Sequence, residues 1–187
     1  MKAISYDLKR AFTEVSASSA GGAPFLIAYG STFLITGILS LFIQRPTVAL
    51  IAMFQGAVAL PIAFWLERRM GTARMAPDNP LKDLSMLMAV SQALGLPLLI
   101  LVYSLDPRGI PLALAALGGV HFLPYAWLHR TRIYMAFAFI VAIGAFALQL
   151  GLGSAAFSYI LLYVGIVYAL TAPLVYRGAA RLVRSAA

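Results

Sequence analysis

Two histidines, six carboxylates and no cysteine among 187 residues leave this chain few groups for acid–base or metal chemistry. Without cysteine there is no thiolate nucleophile, no thiolate metal site and no disulfide. The pair His121 and His129 is too small for a protein-only imidazole cage, so neither a metal nor a cofactor is expected. Haem between helices would want a second axial group at matching depth, and His129 stands at the end of its apolar run. No Asp, Glu, Lys or Arg falls well inside any apolar run. That argues against proton relays and ion-coupled carriers, which place ionisable groups there. It also leaves a Ser/His/Asp triad without its buried acid, so no catalytic residue is assigned. What remains is a set of uncharged polar groups in the middle of apolar runs: His121, Tyr125, Gln92, Gln55, Thr36, Tyr163 and Tyr168. His121 and Tyr125, four apart, share one helical face. Counted along its helix, His121 lies about 16 Å from one end and Gln92 about 12 Å from the other side. Together the seven can line a polar pocket for a ligand. The plainer alternative is a neutral histidine hydrogen-bonded between helices, because an imidazolium is expensive in such surroundings.

The elements that must hold these groups are set by composition. The chain is 62% hydrophobic and 11% charged, with a mean hydropathy of +0.90. An ordinary soluble domain carries about 25% charged residues. The apolar residues gather into runs near the ~20 needed to cross ~30 Å of hydrocarbon as a helix. Spans are expected at about 24–43, 48–66, 84–105, 110–128, 132–152 and 155–176. The connections around Arg45-Pro46, Asp106-Pro107-Arg108-Gly109 and Gly151-Leu152-Gly153-Ser154 are short, which forces antiparallel neighbours. The expected fold is all-α: a six-helix transmembrane bundle of three antiparallel hairpins, one integral membrane domain over 1–187. Pro61, Pro97, Pro124 and Pro173 fall inside spans, where each removes a helical hydrogen bond and can kink its helix.

Charge gives the orientation. Of the 14 Lys and Arg, twelve fall in the two tails and the second and fourth connections, leaving Arg45 and Arg108 opposite. Basic residues favour the cytoplasmic side, so both termini are expected inside and Arg45 and Arg108 outside. The net charge of +8 is therefore topological, and no nucleic-acid partner is expected. Residues 1–22 read as a helix and joint. Ile4, Leu8, Phe12 and Val15 recur at helical spacing on an otherwise polar segment, suited to lying on the inner leaflet. The presence of Asp7 and Glu14 before a late apolar run is unlike a signal peptide. In the one long connection, Asn79 can cap a helix with Pro80 in its first turn. The basic tail 177–187, with Arg177, Arg181 and Arg184, suits anionic headgroups.

Two stretches echo one another 63 residues apart, Gly56-Ala57-Val58-Ala59-Leu60-Pro61-Ile62-Ala63 and Gly119-Val120-His121-Phe122-Leu123-Pro124-Tyr125-Ala126, which suggests repeated hairpins. The motif His121-Phe122-Leu123-Pro124-Tyr125-Ala126-Trp127, with Asn79-Pro80-Leu81 upstream, resembles an uncharacterised domain-of-unknown-function family of small six-span bacterial membrane proteins. The resemblance runs from the N-terminal tail into the fifth span and is weakest in the last helix. It implies a fold, a bacterial inner-membrane location and an emphasis on His121, Pro124, Tyr125 and Trp127, with no catalytic assignment. The reading is a non-enzymatic multi-pass protein that binds or passes a small neutral or apolar molecule near His121. It would have membrane lipids as partners, and a homo-oligomer is compatible with it. Its rivals are an accessory subunit of a membrane complex and an intramembrane enzyme using His121 as acid or base.

Overall fold

The computed structural model describes residues 7–184, the side chain of Ala89 excepted, and every element among those residues is helical. In chain order they are α1 (Leu8–Ser18), α2 (Ala23–Leu39), α3 (Arg45–Phe54), α4 (Gly56–Met70), α5 (Lys82–Ser91), α6 (Leu96–Leu105), α7 (Ile110–Phe122), α8 (Tyr125–Leu128), α9 (Ile133–Leu152) and α10 (Ala156–Arg184). Short 3-10 turns occupy Ala20–Gly22, Gln92–Gly95, Pro107–Gly109 and Gly153–Ala155. Five stretches are long and apolar enough to cross a membrane: Ala20–Leu39, Arg45–Met70, Lys82–Leu105, Pro107–Leu128 and Ile133–Arg184. The last runs over 52 residues and holds both α9 and α10, parted where Gly153 takes a φ of 55°.

Helix α10 packs along α2 and against α9, α9 packs on α7, and α4 covers another side of α2. The α2–α10 contact is close because two glycines remove side chains from it. A Cβ on Gly30 would stand 2.9 Å from the Tyr168 Cβ, and one on Gly165 would stand 2.8 Å from the Leu34 backbone nitrogen. Around this seam Phe33, Phe122, Phe137, Phe157 and Tyr168 are buried. Helices α5 and α6 lie at the periphery. Among the described side chains none of α5 and only Leu99 of α6 is buried, while Leu87 and Leu94 are 68% and 82% exposed. In water such a face would be an unusually large apolar patch.

Helix α1 forms as its periodicity implies, with the Asp7 carboxylate accepting from the Lys9 N–H at 2.9 Å. Its apolar stripe meets protein rather than an open face. Phe12 and Val15 are buried with Leu81 and Leu128, and the Phe12 ring meets Trp127 edge-on at 4.8 Å. Leu8 remains exposed, and Ile4 lies outside the described residues. The connection to α5 closes over this helix. Asn79, buried, donates to the Ala11 carbonyl at 3.2 Å and to Glu14 Oε2 at 3.0 Å. Its Oδ1 accepts from Leu81 N–H at 2.9 Å, so Pro80 sits in a turn and the helix begins at Lys82.

The four prolines divide into two kinds. Pro61 and Pro173 stay inside the continuous helices α4 and α10. Pro97 opens α6 and Pro124 stands just before α8, each at a break. The second long stretch breaks at Gln55, six residues before Pro61. The two echoing segments therefore differ locally, since Gly56 starts a helix whereas Gly119 lies within α7.

Candidate functional site

Two of the seven expected pocket residues, Gln55 and Gln92, line one cavity of about 350 Å³. Its walls come from α2 (Tyr29, Phe33), the α3–α4 junction, the α5–α6 junction and Leu114 of α7. A proline frees a helix carbonyl beside each junction. Pro61 has no N–H to give the Ala57 carbonyl, and Pro97 has none for Ala93; both alanines line the cavity. At the second junction the chain tightens to 3-10, where Leu96 N–H takes the Ala93 carbonyl instead. Gln55 and Gln92 are thus carried at helix breaks facing one space. Gln55 is 7% exposed, and its Oε1 is buried without a hydrogen-bond partner among the described residues. Tyr29, not singled out in the sequence, is the third polar group of the lining. A glutamine followed directly by glycine within an apolar run is the signal available for this break.

His121 and Tyr125 do not line that cavity. They belong to a column of rings on the α7–α8 segment, at intervals of four: His121, Tyr125 and His129, with centroids 5.5 and 5.8 Å apart. Tyr134 of α9 closes the column, 5.6 Å from both Tyr125 and His129. Its hydroxyl donates to the Gly21 carbonyl at 2.6 Å. That carbonyl is presented by a left-handed joint, with Gly21 and Gly22 at φ 66° and 79°, a conformation natural to glycine. A Cβ on Gly21 would also meet the Val175 carbonyl oxygen at 2.8 Å. His129 is buried and its Nδ1 lies 3.1 Å from Ser16 Oγ. Burial pushes its imidazole down to about 4, because the charged form loses its water. Position in the sequence puts His129 near the surface, and the structure instead buries it. Its spacing of eight from His121 is the signal that both belong to one face.

His121 Nδ1 lies 3.4 Å from Ser91 Oγ of α5. Ser91 Oγ also reaches the Met88 carbonyl of its own helix at 2.8 Å. At 3.4 Å the contact with His121 is long, and its direction follows the tautomer of the imidazole. The remaining expected residues are held elsewhere. Thr36 Oγ1 bonds back to the carbonyls of Thr32 and Phe33, at 2.9 and 3.1 Å. Tyr163 donates to the Ile140 carbonyl of α9 at 2.7 Å. Tyr168 is buried among Phe33, Phe122 and Phe137, with centroids 4.8–5.7 Å away. Among the described residues no group of three or more His, Asp or Glu is placed to hold a metal ion. At the opposite end of α7, Arg108 Nε bonds both carboxylate oxygens of Asp106 at 3.0 Å. This pairing holds the Asp106 carboxyl below its ordinary value.

The architecture is that of a strongly apolar helical bundle with a mostly apolar cavity between helix breaks and a separate column of rings. Over residues 8–178 the chain matches DUF7010, a family of unknown function, and it belongs to that family. The match extends well into α10, beyond the part of the chain where the motif-based resemblance is strongest. No curated protein and no solved structure matches the chain.

Proposed function

We propose that this chain is a multi-pass membrane protein that binds or passes a small, uncharged, mainly apolar molecule in the Gln55–Gln92 cavity. Counting α9 and α10 separately gives six crossings, paired through the short connections into three antiparallel hairpins. The twelve-to-two split of basic residues supports a cytoplasmic-membrane location with both termini inside. The observation that carries the binding reading is the cavity itself. Its volume falls at the lower end of the ~300–1,000 Å³ usual for small-molecule sites. Its lining has no charged side chain among the described residues, and only Gln55, Gln92 and Tyr29 offer polar atoms. An accessory subunit with a dry, fully paired core would not need such a space, nor leave Gln55 Oε1 unpartnered. The 3.4 Å length of the Ser91–His121 contact, with Ser91 Oγ closer to the Met88 carbonyl, weighs against His121 as a catalytic base.

The test is what travels with the protein. Wild type purified in mild detergent and extracted with solvent should release a small apolar compound in near-stoichiometric amount. Ala57→Phe, at an exposed wall of the cavity, should lose it while keeping the helix content of wild type. Equal extracts from both proteins, or none from either above the detergent blank, would end this reading.

A further inference from the structure

Resting on that binding reading, we infer that the occupant is a hydroxyl-bearing lipophile that enters sideways from the bilayer and donates its hydrogen to Gln55 Oε1. Three observations lead to it. The first is the orphaned acceptor: Gln55 is more than nine-tenths buried, lines the cavity, and has Oε1 shielded from solvent with no partner among the described residues. A buried carbonyl oxygen left unpaired costs free energy that a donor on a ligand recovers. An amide oxygen only accepts, so an ether or hydrocarbon cannot satisfy it.

The second is depth. Gln55 follows Arg45 by ten residues in the stretch Arg45–Met70, and Gln92 follows Lys82 by ten in Lys82–Leu105. Ten residues of helix rise about 15 Å, half of a ~30 Å hydrocarbon core. Both amides therefore sit near the middle of the bilayer, where a ligand must already be soluble in hydrocarbon. A hydroxyl is donor and acceptor at once. It can donate to Gln55 and accept from the Gln92 amide or the Tyr29 hydroxyl across the same space.

The third is the mouth. Phe54, Phe64, Met86 and Val90 line the cavity and are themselves 38–58% exposed, framing the gap between α3–α4 and α5. These are apolar side chains on the outer surface of a membrane bundle, so the opening faces acyl chains. A water-borne polar solute would have no path lined to suit it. The α5 side of this mouth buries none of its described side chains, which suits an element that yields to an entering molecule.

Dodecan-1-ol, its methyl ether and dodecane form a matched set of probes for the full chain in phosphatidylcholine nanodiscs, with bound probe counted by native mass spectrometry. The alcohol should bind wild type about tenfold more tightly than the ether, a difference of about 1.4 kcal/mol. Gln55→Met, which keeps the volume, should bring the alcohol to the level of the ether. Equal affinity of alcohol and ether in wild type overturns the hydroxyl inference and leaves the cavity reading intact. Failure of all three probes to bind overturns both. Because the wild-type ratio decides the matter, poor folding of the variant would not rescue the proposal.

Discussion

His129 shows how one residue can be placed by the fold in a role its position in the sequence conceals. It ends an apolar run, yet α1 and Tyr134 close over it, and Ser16 Oγ lies 3.1 Å from its Nδ1. Its folded pKa near 4 lies below the ordinary value of about 6.5. The unfolded chain therefore takes up a proton first as pH falls. The stabilisation is fully present above about pH 6.5 and is lost progressively toward pH 4, by on the order of 3 kcal/mol. Thermal unfolding in detergent at pH 7.5 and 4.5 should show this loss, and His129→Gln should flatten the profile relative to wild type. An unchanged slope in the variant would place the acid sensitivity elsewhere. At this scale the sequence is only partly readable. Gln55 and Gln92 do share a cavity, but His121 and Tyr125 face a separate column, and Thr36 is occupied by its own helix. Residue type and depth identify polar groups inside an apolar run. Which helix face each occupies relative to its neighbours depends on packing that no single span contains.

At the scale of elements, the long helices follow from runs of apolar residues, and α1 follows from spacings of three and four. Breaks are harder to place. Pro97 and Pro124 mark two of them, Pro61 and Pro173 do not, and the break at Gln55 has no proline at all. A proline disturbs the turn before it, but whether the helix stops depends on whether neighbours support the strained turn. The pairing of α1 with the connection before α5 is equally hidden, since it rests on Asn79 reaching Ala11 and Glu14 across more than sixty residues. Asn79→Ala should remove those bonds and the Leu81 cap together and leave buried backbone unpaired, at a cost of roughly 1–3 kcal/mol. The consequence should be local: α1 loosens and the connection opens. Limited trypsin digestion of detergent-solubilised protein should then cut faster at Arg74 than in wild type. Asn79→Asp keeps the Leu81 cap but sets a carboxylate against Glu14 and the Ala11 carbonyl, and should be cut at least as fast as Asn79→Ala. If Asn79→Ala is cleaved at the wild-type rate, the connection is held by other contacts.

Across the whole molecule, charge and surface act together. Exposed Leu87, Leu94, Leu105 and Phe139 would be untenable in water and are ordinary against acyl chains. The two ends of the bundle then differ in charge. One end carries the α1 layer, the last turn of α4 with Arg68 and Arg69, the connection with Arg74, and the last turns of α10 with Arg181 and Arg184. The other carries Arg45, bonded through Nη1 to the Ser154 carbonyl at 3.0 Å, and Arg108, paired with Asp106. Both arginines are thus engaged by neighbours at their own end. Because the chain has no cysteine, single-cysteine variants report position without background. Arg45→Cys in intact cells should react with a membrane-impermeant maleimide, and Arg181→Cys should react only after the membrane is opened. Arg45→Cys removes a single exposed hydrogen bond to Ser154, so the bundle itself should survive the change. Labelling of position 181 from outside, with position 45 protected, would invert the bundle and overturn the orientation that the basic residues imply.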